Sequence, residues 1–133
     1  MNGCTSTVVL DAAADANNPD CAGITVRLPD TIDSFARRHT NAQSTAAWGS
    51  PTSILVRCGV TPIGPTPKPC VSVNNVDWIL VSNPDDTTAV YITFGRKPAT
   101  EVIIDHTLGA SDAAVLPALA SAIASVHPTA QCE

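Results

Sequence analysis

The sequence predicts an α+β domain, a two-layer sandwich in which a four-stranded, mostly antiparallel meander is covered by short N-terminal helices and a C-terminal helix. Three observations predict it. Four runs in the middle of the chain have period two, the C-terminal stretch has helical periodicity, and short turn clusters link the later strand runs.

The N-terminal region opens the chain. Residues 1–19 read as a tether or extended arm: Thr7-Val8-Val9-Leu10 can pair at an edge, but Asp11 to Pro19 is polar and rich in Ala and Asn. A single domain is expected over 20–133. Cys21, Ile24 and Leu28 fall at helical spacing, while Ile24, Val26 and Leu28 also alternate; a short helix is favoured, ended by Pro29 because the residue before a proline is pushed out of the α region. Asp30 then reads as the cap of a second helical turn with Ile32, Phe35 and Ala36 on one face. Asp33 suits its positive end, and Arg37-Arg38 suits its negative end.

The strand runs follow. Ile54, Val56 and Cys58 alternate with Leu55 and Arg57, and Val76, Trp78 and Leu80 with Asp77, Ile79 and Val81. Val90, Ile92 and Phe94 alternate with Ala89, Tyr91 and Thr93, and Val102 and Ile104 with Glu101, Ile103 and Asp105. These β-branched and aromatic residues suit a pleated surface. Asn83–Asp86 and Gly95–Pro98 are the turns. Leu116, Leu119, Ala120, Ile123 and Val126 give the last helix an apolar face, with Pro117 in its first turn and Pro128 as its stop.

Composition removes several function classes. The formal net charge is −5, with 7 Lys/Arg against 12 Asp/Glu, which lacks the basic stripe a nucleic-acid binder needs to displace counterions. The short basic pairs Arg37-Arg38 and Arg96-Lys97 read as solvated surface. No run reaches the ~18 apolar residues of a membrane span. No G-x-S-x-G, H-E-x-x-H or phosphate-loop motif occurs. His39, His106 and His127 fall at element ends, where capping or surface roles outweigh metal ligation, so no catalytic residue, metal or cofactor is expected. Asp105 and His106 are neighbours that a strand would point to opposite faces, which weakens them as an acid–base pair.

The sulfur content points to the compartment. Five cysteines, Cys4, Cys21, Cys58, Cys70 and Cys132, occur without a C-x-x-C spacing. Four of them allow three pairings. The favoured one is Cys58–Cys70, closing a loop with four prolines and two glycines, and Cys21–Cys132, tying the ends; the alternative is buried free thiols. Gly3-Cys4 before a polar stretch is the step a bacterial lipoprotein presents, so Cys4 is the expected lipid anchor. The competing reading is a leftover thiol in a loose tail.

Trp48, in Ala46-Ala47-Trp48-Gly49-Ser50-Pro51, reads as a turn entering a strand. Its ring is either exposed to a partner or packed in the core with its N–H bonded to backbone, and the same choice holds for Trp78. Arg96 can fork onto a carboxylate or phosphate, or pair internally with Asp77 or Glu101. Trp48, Arg96 and Lys97 form the candidate binding surface.

Thr45–Pro51, Val56-Arg57-Cys58-Gly59-Val60, Val73–Trp78 and Phe94-Gly95-Arg96 together resemble an actinobacterial family of exported, lipoprotein-like proteins, domain-of-unknown-function family 3515, from about Cys21 into the C-terminal helix. Ser50, Asn75 and Phe94 depart mildly from its pattern. The resemblance implies an extracytoplasmic or lipid-anchored location and no catalytic residues. The expected function is a non-catalytic interaction module of the cell envelope. It would be anchored through lipidated Cys4 at the outer face of the plasma membrane and would bind a membrane or envelope protein. A lipid or glycan carrier is the alternative, and an envelope hydrolase built on His106 or His127 is the remotest.

Overall fold

The computed structural model describes residues 6–132. Its centre is an eight-stranded antiparallel sheet, not a four-stranded meander. The strands are β1 (Thr31–Ile32), β2 (Phe35–Arg38), β3 (Thr45–Trp48), β4 (Ile54–Val60), β5 (Cys70–Val73), β6 (Val76–Ser82), β7 (Thr88–Thr93) and β8 (Ala99–Asp105). Their order across the sheet is β1-β2-β3-β4-β8-β7-β6-β5. The four expected runs are all strands, but β4 pairs with β8, not with β6.

The additional strands arise where hydrophobic periodicity misleads. The expected second helix is the β1–β2 hairpin. Asp33 has φ 55°, so a two-residue turn sets Ile32 opposite Phe35. The i, i+3 spacing of those two is therefore a cross-strand pair and not a helix face. Strand β3 is buried along all four residues, and three of them are Thr or Ala, so it carries no contrast between faces. The edge strand β5 is only four residues long and begins right after Pro69.

Helix α1 (Pro19–Arg27) starts at Asn18, whose side chain accepts from the Asp20 amide at 3.0 Å, and it stops before Pro29 as expected. Helix α2 (Asp112–Ile123) starts at Ser111, whose hydroxyl accepts from the Ala114 amide. Pro117 is its sixth residue, not part of its first turn, and the helix ends five residues short of Pro128. Both helices pack on one face of the sheet. The core there joins Ile24, Leu116, Leu119 and Ile123 to Trp48, Ile54, Val56, Trp78, Val102 and Ile104.

The disulfides are Cys21–Cys58, with Cα atoms 5.6 Å apart, and Cys70–Cys132, at 6.5 Å. The pairing expected from the loop is overturned by the strand order. Residues 61–69 carry the chain from β4 to the far edge, past β8, β7 and β6. Four inter-strand spacings separate Cys58 from Cys70, on the order of 19 Å. A disulfide needs Cα atoms within about 7 Å.

The N-terminal arm, over its described residues, lies along the sheet. The amide of Val8 donates to the His39 carbonyl, that of Asn41 to the Val8 carbonyl, and that of Asp15 to the Gly59 carbonyl. At Gly59, φ is 104° and a Cβ would strike the backbone of Asp15.

Candidate functional site

The sheet has two apolar faces, and the helices cover one. Facing away from them, in register across β4, β8 and β7, are Leu55, Ile103 and Val90, followed by Ile92 opposite Ile79 on β6. All but Ile79 are part-exposed. Antiparallel strands with one wet face normally alternate apolar with polar residues. Strands β4, β7 and β8 instead carry aliphatic residues in both phases, the pattern of a sheet covered on both sides. The Arg57–Glu101 ion pair, at 2.9 Å across β4 and β8, borders this face.

At the β5–β6 end the outer face is walled. The proline-rich loop contributes Pro65 to Lys68, and the C-terminal segment contributes Ala130 to Cys132. Between them is a groove of about 570 Å³ floored by Ile79 and Phe94. The C-terminal segment reaches it as a strap. The amide of Thr129 donates to the Gly95 carbonyl at 2.7 Å, the amide of Cys132 donates to Asp77 Oδ2 at 2.8 Å, and Cys132 is bonded to Cys70. Gly95, at φ 76°, lets Ala130 pass; a Cβ there would collide with it.

Of the three residues expected to form a binding surface, two are structural. Trp48 is fully buried, its N–H donates to the Pro29 carbonyl at 3.0 Å, and Arg37 stacks over its ring. Arg96 is 6% exposed. It donates to the carbonyls of Val126, Ile123 and Asn75, and so clamps the C-terminal end of α2. Burial lowers its pKa, and nearby Asp77 opposes that shift. Glu101 pairs with Arg57 instead. Only Lys97 is exposed. Trp78 is buried, but its indole N–H has no partner among the described residues. Cys4 lies outside the described residues.

The histidines do not converge on one site. His39 and His127 are exposed at separate ends, while His106 belongs to a network no local motif announces. Its Nε2 lies 2.7 Å from Asp112 Oδ1 and its Nδ1 lies 3.2 Å from the Asp86 carbonyl. Asp112 Oδ2 accepts from the Tyr91 hydroxyl at 2.6 Å. Both ring nitrogens face acceptors, an arrangement that favours the doubly protonated ring. The Asp112 bond, the larger influence, raises the His106 pKa above its ordinary value. Burial first, then Asp112, pushes the Tyr91 phenol far above its ordinary range. In its doubly protonated form the ring has no lone pair free to accept a proton. Asp105, the sequence neighbour, instead accepts from the Thr107 amide and hydroxyl. Among the described residues, one cluster of ligand-type atoms occurs: Cys70, Cys132 and Asp77, within 4.8 Å of one another.

These features describe a small sheet domain, stapled by two disulfides, with one covered and one open apolar face. The chain belongs to the family described as "Protein of unknown function (DUF3515)", whose model matches residues 4–132. No curated protein and no solved structure matches it.

Proposed function

We propose that this is a non-catalytic, extracytoplasmic interaction module of an actinobacterial cell envelope, which docks a membrane or envelope protein on its open sheet face. The observation that carries the reading is the apolar set Leu55, Ile103, Val90 and Ile92, which no helix of the described chain covers. An apolar surface of this kind is where a partner gains most from burial. Two disulfides favour an oxidising compartment.

Lipidation of Cys4 would hold the module close to the bilayer. The carbonyl of Ser6, two residues after Cys4, accepts from Arg38 at 2.6 Å. At roughly 3.5 Å per residue, two residues reach at most about 7 Å. A partner seated on the sheet would then be a membrane protein or one lying against the membrane. The groove floored by Ile79 and Phe94 favours the second reading, a carrier of a lipid or glycan.

Photo-crosslinking in intact cells tests the first reading. A crosslinking side chain at Ile103 or Ile92 should give one discrete protein adduct, and the same group at exposed Val26 on α1 should not. Equal labelling at all three positions, or none, rejects the sheet face as the docking surface.

A further inference from the structure

The sulfur and oxygen atoms of Cys70, Cys132 and Asp77 lie within 4.8 Å of one another. We propose that, once the Cys70–Cys132 bond is reduced, these three side chains form a binding site for one zinc-type divalent cation, which pins the C-terminal strap in place of the disulfide.

Two bridges of opposite character motivate this. Cys21 and Cys58 are 0% and 1% exposed, whereas Cys70 is on the surface. A dithiol reductant therefore reaches Cys70–Cys132 first. The reductant supplies two electrons and two protons; the S–S bond breaks, Cys70 and Cys132 become thiols, and the reductant closes to its own cyclic disulfide. Metal binding then displaces both thiol protons.

The donor set suits zinc. Thiolate sulfur and carboxylate oxygen bind it at about 2.3 Å and 2.0–2.2 Å, distances that three atoms already this close meet with small rotations. Asp77 is held in place, since its Oδ2 accepts from the Cys132 amide. Charge also balances. Two thiolates and one carboxylate carry three negative charges, which the dication and neighbouring Arg96 cancel. Three protein ligands leave a fourth position for water on the exposed side.

Cobalt(II) is the probe, in a chain with Cys4→Ser so that only the bridge sulfurs respond. Protein reduced with limiting dithiothreitol and desalted without oxygen should bind one equivalent. The marker is a thiolate-to-cobalt absorption band that zinc abolishes. Oxidised protein and the Cys70→Ser/Cys132→Ser variant should show no band, and Asp77→Asn should bind more weakly while its oxidised form keeps the wild-type far-UV spectrum. Zinc should also slow alkylation at Cys70 and Cys132, and leave Cys21 and Cys58 unaffected, a readout that does not depend on the variants folding. Absence of the band and of alkylation protection in the reduced protein overturns the proposal, as does equal cobalt binding by the double-serine variant.

Discussion

His106 Nε2 and Asp112 Oδ1 meet at 2.7 Å and tie the end of β8 to the first residue of α2. The other ring nitrogen faces the Asp86 carbonyl, so one ring joins the turn before β7, the end of β8 and the start of α2.

That bond makes stability depend on pH. The folded-state pKa of His106 is raised, so over the window above the unfolded value, about 6.5, the folded chain holds more protons than the unfolded one. The contribution is complete below about pH 6.5 and fades as pH rises through the folded value. Urea midpoints measured from pH 5 to 9 should fall over that window in the wild type, and His106→Gln should remove this part of the slope.

Arg96 carries the end of α2 and the turn at Asn75 on one guanidinium. Arg96→Met should cost about 2–4 kcal/mol, because it leaves buried carbonyls without donors. Lys has one ammonium and no fork, so Arg96→Lys should recover only part. Chemical denaturation with matched m-values checks both.

The two tryptophans should respond differently to Phe. Trp48→Phe strands the Pro29 carbonyl and loses the Arg37 stack. Trp78→Phe removes a buried N–H that has no partner among the described residues. The first should be more destabilising by about 1–2 kcal/mol, measured as the difference between the two unfolding free energies.

On the open face, Ile92→Thr and Ile103→Thr keep the β-branch and replace an ethyl group with a hydroxyl. Each should cost about 1 kcal/mol or less, since these positions are already part-exposed. The pair together should abolish the photo-adduct made from a third position on that face, Val90, without lowering the amount of folded protein.

Much of the fold is legible in the residues. The four long strands, α1 and the apolar face of α2 follow from periodicity, and all of Leu116, Leu119, Ala120, Ile123 and Val126 are buried. Strand order is not legible, because β4 and β8 meet only through pairing across 44 residues of chain, as in Arg57 with Glu101. The disulfide pairing failed with it: a short loop between Cys58 and Cys70 implies proximity only if the loop does not cross the sheet. Ala46 and Ala47 concealed β3, since Ala marks neither face. The open surface was visible in part, because Leu55, Val90, Ile92 and Ile103 each occupy the phase that a half-wet strand gives to polar residues. What that pattern does not encode is which face the helices take. Arg96 misled for a related reason, because an arginine in a turn resembles a surface cation until the helix it clamps is in place.

Sulfur connectivity tests the account most directly, since one bridge fastens α1 to β4 and the other fastens the strap to the β5 edge. Peptide mapping of natively isolated protein, acid-trapped before digestion, should recover Cys21 joined to Cys58 and Cys70 joined to Cys132. Recovery of Cys58 joined to Cys70 would contradict the sheet order, and recovery of all four as free thiols would contradict the proposed extracytoplasmic location.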